Sequence, residues 1–234
     1  MARLSPVVLM NVIVFASRKG GSGKSTVAAQ LAAQAYHRSR PVLLIDSDPQ
    51  RSLTLWHMMR GGGEPPLSTA TGAVADLLKV ARRGGYEWVF IDTPPNMSAA
   101  VTDAIHAATL VVIPARLTLF DMVAVKETID LCRKLRKPYA VVINGVPSRP
   151  DNTEWPYVQE ARLVLTKLNV PVWSGQITHR TDYSLALVEG EGAKEYDSNS
   201  EAAAEIATLW NAIERSVKAI HRAYERVATH RIVA

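Results

Sequence analysis

Cysteine is nearly absent from these 234 residues: Cys132 stands alone. One thiol closes no disulfide within the chain, which excludes a small secreted scaffold held by bridges and fits a reducing cytoplasm. Cys132 falls in a stretch expected to be helical and reads as a small packed side chain rather than a nucleophile. The 6 histidines are scattered, and none stands at ligand spacing from another or from the cysteine, so no zinc site of that kind is expected. No run reaches the roughly 18 apolar residues that cross a bilayer. The opening Met1-Ala-Arg-Leu-Ser-Pro6 runs directly into an apolar segment that carries a glycine-rich loop at its end. A cleavable signal peptide is therefore not expected, since cleavage would destroy the loop. No internal repeat, low-complexity tract or dividing linker appears, and one domain over residues 1–234 is expected. Neither sign of charge dominates. Lys and Arg number 27 against 22 acidic residues, a net +5, which permits DNA or an anionic membrane as partner without demonstrating either. With 47% hydrophobic and 21% charged residues the chain is globular and long enough for a sizeable core.

What is present is dominated by Arg18-Lys19-Gly20-Gly21-Ser22-Gly23-Lys24-Ser25-Thr26. It follows the apolar run Val7 to Ala16 and opens a helical pattern rich in alanine and leucine that extends to about Arg38. Strand, glycine loop and helix together are the context of a phosphate-binding loop. Glycines let several backbone N–H groups converge, and the helix N-terminus adds positive potential. Lys24 can then reach the β- and γ-phosphates, and the Ser25 hydroxyl can ligate Mg²⁺. The spacing G-x-x-x-x-G-K-S/T would want glycine at residue 18. Arg18 is there instead, and a second lysine, Lys19, begins the loop.

Downstream, short apolar runs alternate with helical patterns. Pro41-Val-Leu-Leu-Ile45 ends in Asp46-Ser-Asp48-Pro49-Gln50, and Trp88-Val-Phe-Ile91 ends in Asp92-Thr-Pro-Pro95. Carboxylates at the C-terminal ends of buried strands sit where an open α/β sheet binds its ligand, and Asp92 is where an Mg²⁺ shell needs an acid. Further strands are expected over Thr109–Pro114, Tyr139–Ile143 and Val170–Trp173. Helices are expected over Arg51–Met59, Ala73–Arg82, Met97–Ala107, Leu119–Arg136, Thr153–Leu168 and Ser200–Ala228. Gly61–Pro66 is expected to be loop. The fold class is α/β, P-loop NTPase-like, a mostly parallel sheet with helices on both faces.

These residues carry a resemblance. K-G-G-x-G-K-S-T is similar to the deviant Walker A motif of the ParA/MinD ATPases. Asp46-x-Asp48-Pro49-Gln50 resembles their switch motif, and Ile91-Asp92-Thr93-Pro94-Pro95 their Walker B strand. Arg180-x-x-Tyr183-x-x-Ala186-x-x-x-Gly190 and Ser200-Glu-Ala-Ala-Ala-Glu-Ile206 resemble short ParA proteins that lack an N-terminal DNA-binding domain. The resemblance implies ATP/ADP and Mg²⁺ as cofactors and a homodimer when ATP is bound, with Lys19 of each subunit crossing to the phosphates of the other. It implies that Gly20, Gly21, Ser22, Gly23, Lys24, Ser25 and Thr26 cradle phosphate, and that Ser25, Asp46 and Asp92 hold the metal, the two carboxylates through water. Asp48 would orient the attacking water. Asn144 matches the adenine contact, with a turn-forming asparagine before glycine as its plain reading.

For the ATPase's task, the resemblance implies a cytoplasmic, nucleoid-associated positioning protein. Its ATP dimer would bind DNA without sequence preference, and a ParB-like activator protein on the cargo would stimulate slow hydrolysis. On the last helix, Arg215, Lys218, Arg222 and Arg226 fall off the apolar series Ile206, Leu209, Trp210, Ile213, Val217, Ile220 and Tyr224 and are expected to be exposed together. Glu214 and Glu225 dilute that face. Arg180 is a further expected contact, for DNA or for the switch. The other reading is a MinD-like membrane-associated ATPase, which needs an amphipathic tail. The tail Ala228–Ala234 is short and weakly apolar, so membrane attachment is not expected.

Overall fold

A central strand whose two faces are both covered needs no polar alternation. Accordingly, all five residues of β1 (Asn11–Phe15), β2 (Val42–Asp46) and β4 (Trp88–Asp92) are buried. With β3 (Leu67–Thr69), β5 (Leu110–Ala115), β6 (Tyr139–Pro147) and β7 (Ile177–His179) they form a seven-stranded sheet in the order β3-β2-β4-β1-β5-β6-β7. Every ladder is parallel. The structure is a computed structural model and describes residues 9–70, 72–149 and 153–233. Residues 1–8, including the head of the expected first apolar run, lie outside it, as do the side chains of the tail from residue 227.

Parallel neighbours require crossovers, and the helices divide between the two faces. On one face lie α1 (Lys24–Ala35), α2 (Ser52–Met59), α7 (Thr181–Val188), α8 (Ala193–Tyr196) and α9 (Glu201–Val233). On the other lie α3 (Val74–Arg83), α4 (Ala99–Ala107), α5 (Leu119–Lys134) and α6 (Pro156–Lys167). Cys132 is fully buried in the second cluster, where burial pushes its thiol up to about 12, so it is packing and not a nucleophile at neutral pH. In the first cluster Trp210 of α9 meets the Trp88 ring edge-on at a centroid distance of 4.7 Å, with Phe90 and Phe15 continuing the contact. The apolar series of α9 is buried from Ile206 to Val217, Ile220 is half-buried, and Tyr224 is 58% exposed. The buried part of the expected stripe therefore ends one turn early.

The far edge of the sheet departs from expectation. Val170–Trp173 makes only a single bridge, Val172 to Val141, with Val141 N donating to Pro171 O and Trp173 N to Val141 O. The edge is taken up instead by Ile177–His179. β6 does not stop at Ile143. It continues through a bulge between Asn144 and Val146, where Gly145 takes the left-handed φ of +69°.

Candidate nucleotide-binding site

The site is built at the C-terminal ends of β1, β4 and β2, where the sheet's connections part to either side. β1 leads through Ala16 and Ser17 into the loop, and α1 begins at Lys24. Gly23 has φ +99°, and a β-carbon there would sit 2.1 Å from Asn144 Nδ2. Only glycine fits both demands. Asn144 Nδ2 donates to the Ser22 carbonyl at 2.7 Å, so the strand two places from β1 fastens the loop from below. That use engages the amide nitrogen of Asn144 and leaves its carbonyl oxygen for another donor.

Lys24 is 6% exposed and its ammonium donates to Lys19 O at 3.4 Å. Burial pulls its pKa down, while the carboxylates of Asp92 and Asp48 push it up, and burial wins. Lys19 stands exposed on the loop's shoulder. Ser25 Oγ donates to Asp92 Oδ2 at 2.5 Å. Asp92 and Asp46 are register partners at the ends of β4 and β2. Burial drives the Asp92 carboxyl up to about 7, against the Ser25 hydrogen bond, and the nearby Asp46 charge pushes the same way. Its other oxygen, Oδ1, is buried without a partner. A hydroxyl beside a buried carboxylate with an orphaned oxygen fits a hard divalent cation and its water shell, which would relieve both the orphaned acceptor and the repulsion. Among the described residues no group of three or more His, Cys, Asp and Glu side chains makes a metal cage. Such a cation would therefore rely on ligands beyond the chain, as Mg²⁺ does on phosphate.

Asp46 is more occupied than the sequence suggested. Its Oδ2 accepts from the amide and hydroxyl of Thr54 at 2.8 and 2.6 Å, and its Oδ1 from the Asp48 amide at 3.1 Å. It shapes the turn that carries Asp48 and starts α2. Asp48 Oδ1 in turn accepts from Gln50 N at 2.9 Å.

Gly20, Gly21, Gly23, Lys24, Ser25, Thr26 and Asp48 together line a cleft of about 510 Å³. Gln50, Ser52, Pro95 and Arg116 complete the lining; Gln50 and Pro95 close the two strand-end motifs but carried no expected role, and Ser52 and Arg116 were not singled out from sequence. For Arg116 a signal was present: it directly follows β5, a neighbour of β1, at the end of the sheet where ligands bind.

The residues expected to meet DNA divide. Arg215, Lys218, Arg222 and Arg226 are all exposed, and their spacing puts them on one face of α9. Arg180 is not with them. Its Nε and Nη2 donate to Glu205 Oε1 at 3.1 Å and its Nη1 pairs with Glu201. Burial alone would lower its pKa, but Glu205 and Glu201 more than offset that and raise it. Two carboxylates one turn apart at the head of α9 thus hold the charge of Arg180 against the domain.

The residue pattern and the geometry agree with comparisons to known proteins. A family model described as the CobQ/CobB/MinD/ParA nucleotide binding domain matches residues 13–193. The maintenance of carboxysome distribution protein A of Gloeobacter kilaueensis is 31% identical over 181 residues, covering 76% of this chain and 82% of that protein. The ParA protein of Rhizobium radiobacter is 36% identical over 126 residues, covering 52% of this chain and 56% of its own length. Among solved structures, the septum site-determining protein MinD of Pyrococcus horikoshii, complexed with Mg-ADP, superposes with a TM-score of 0.67 at 17% identity, covering 88% of this chain and 96% of that one. Seven parallel strands, a lysine-flanked glycine loop and paired strand-end carboxylates are thus found in a chain that these proteins resemble in sequence and in fold, and the chain belongs to the CobQ/CobB/MinD/ParA family of nucleotide-binding domains.

Proposed function

We propose that this protein is an Mg²⁺-dependent ATPase of the ParA type, an ATP-gated homodimer that positions a cargo. The observation that carries the reading is one cleft lined by Lys24, Ser25 and Asp48, in which Ser25 also donates to Asp92, with Lys19 exposed next to Gly20 of the lining.

Lys24 and the loop amides would hold the β- and γ-phosphates, and the N-terminus of α1 would favour their charge. When bound, Mg²⁺ supplies charge neutralisation at the phosphate oxygens. Ser25 would ligate it, with Asp92 and Asp46 behind. Asp48 sits at the cleft on a turn held by Asp46, where it would position the attacking water rather than abstract a proton strongly. Hydrolysis is then slow until a partner completes the site, and a ParB-like activator would be that partner. Lys19 would cross to the second subunit. A cation that is attracted only when triphosphate lies opposite couples nucleotide state to pairing. Asn144 would present its carbonyl oxygen to the adenine amino group while its amide holds the loop.

The exposed series Arg215, Lys218, Arg222 and Arg226 supports nonspecific DNA as the surface on which the ATP dimer rides. The relatives' names, a partition protein and a carboxysome distribution protein, support positioning as the task. The test is a hydrolysis assay with Mg²⁺ and a gel-shift with nonspecific duplex with ATP, with ADP and without nucleotide. Slow hydrolysis and ATP-dependent, salt-sensitive retardation are expected. Retardation indifferent to nucleotide would refute the gated reading.

A further inference from the structure

Arg116 belongs to no motif that pointed to this function, yet it lines the cleft with Lys24, Thr26 and Asp48. Its stem has a built seat. A β-carbon placed on Gly145 would meet Arg116 Nε at 3.3 Å, Cγ at 3.7 Å and Cδ at 3.8 Å, so the arginine's stem packs directly against the face of Gly145 that carries no side chain. Gly145 is held in that place by the bulge of β6, at a left-handed φ that disfavours any other residue. The preceding residue, Asn144, is the one that fastens the phosphate loop, so seat and loop are positioned by one piece of backbone.

Among the described residues Arg116 forms no ion pair, as is also true of Arg51 and Arg222, but its side chain stands in the lining of the cleft, where theirs do not. A guanidinium presents a planar fork matched to phosphate oxygens and is the side chain suited to bidentate phosphate recognition. We propose that Arg116 is a phosphate-binding residue of this cleft, a second cation that contacts the bound nucleotide within the same subunit, beside Lys24, from the notch at Gly145. This rests on the nucleotide-binding reading above. It adds that the cleft is closed on its β5 side by a charge that the loop motif does not contain.

The test is calorimetric titration of Mg-ADP, a ligand expected to leave the protein monomeric, into wild type, Arg116→Met and Lys24→Ala. Methionine keeps an unbranched stem against Gly145 and removes the guanidinium. Arg116→Met is expected to weaken Mg-ADP by about tenfold to a hundredfold and to lower the salt dependence of binding, with thermal unfolding of the nucleotide-free protein unchanged. If Arg116→Met binds within about twofold of wild type while Lys24→Ala loses binding, the assignment of Arg116 is overturned and the nucleotide site stands. If wild type itself binds no Mg-ADP, both fall. A loss of affinity accompanied by an equal loss of thermal stability overturns the direct contact in favour of a structural role.

Discussion

Replacing Asn144 by alanine removes a single hydrogen bond, but that bond ties β6 to the phosphate loop. Asn144 is 9% exposed and Ser22 is 1% exposed, and the bond between Nδ2 and the Ser22 carbonyl is 2.7 Å. A typical intramolecular bond contributes a net 0.5–1.5 kcal/mol, roughly, and stranding a buried acceptor costs about 1–3 kcal/mol. The Ser22 hydroxyl is already buried without a partner, so the loop has little to fall back on. A loss of about 2 kcal/mol for the ordered loop is therefore expected in Asn144→Ala, which is roughly thirtyfold in nucleotide affinity if the open loop does not bind. Asn144→Asp should be worse at neutral pH, since a carboxylate then faces a carbonyl with no proton between them. The assay is fluorescence titration of Mg-ADP alongside urea unfolding. Affinity should fall more than global stability, because the bond fastens a loop and not the core. Wild-type affinity in both variants would refute the claim that β6 orders the loop.

Other consequences follow from the same contacts. Asp48→Ala should retain ATP-dependent dimerisation and lose turnover, read by light scattering and phosphate release. Normal hydrolysis would remove the water-positioning role. Arg60 donates to Glu195 at 2.7 and 2.5 Å and to Gly190 O at 2.9 Å, tying the end of α2 to α8 and to the turn that precedes it. Arg60→Ala should therefore cost about 1–2 kcal/mol in urea unfolding. Burial disfavours the Glu195 carboxylate, but hydrogen bonds from Arg60 and the Gly192 amide, with Arg60's charge, hold its pKa below 4.5. A carboxylate depressed in the folded state stabilises above its unfolded pKa, and that stability is lost as pH falls through the folded value. Wild type should thus lose more stability than Arg60→Ala on acidification below about pH 4.5. Arg222→Ala should weaken nonspecific DNA binding and reduce the slope of log K against log salt by about 1 if that side chain meets a phosphate, while Arg180→Ala should leave the slope unchanged.

The parts of the fold with strong local signals were legible. Fully buried strands such as Val42–Asp46 and Trp88–Asp92 announce themselves as short apolar runs ending in acids, and the helix faces repeat with the right period. The edges were not. β3 is three half-buried residues after the Gly61–Pro66 turn, and β7 is three residues with an exposed His179. In such segments pairing with a neighbour decides the conformation, not a pattern in the segment. Val170–Trp173 looked like a strand by composition. Pro171 brings no N–H to a ladder, and after the single bridge at Val172 the chain turns at Ser174-Gly175 and gives the edge to Ile177–His179.

For the candidate site, the loop residues that line the cleft were legible because a glycine-rich loop between a buried strand and a helix is a local pattern. What stayed hidden were long-range partners. Nothing near Asn144 in sequence reveals that its amide reaches Ser22, or that Gly145 opens a notch for Arg116. Nor does the neighbourhood of Arg180 show that Glu201 and Glu205 lie over it, since they stand on the next long helix. Asp46 was expected to be a metal residue from the resemblance of its motif, and its bonds to Thr54 add a duty in shaping the turn that carries Asp48.

The central claim is that the third phosphate on one subunit is sensed by a lysine of the other. It is tested most directly by analytical ultracentrifugation of wild type and Lys19→Ala with a slowly hydrolysed ATP analogue and with ADP. Wild type should sediment as a dimer with the analogue and a monomer with ADP, and Lys19→Ala as a monomer with both. A monomer in all conditions, or a Lys19→Ala dimer as tight as wild type's, would contradict the account.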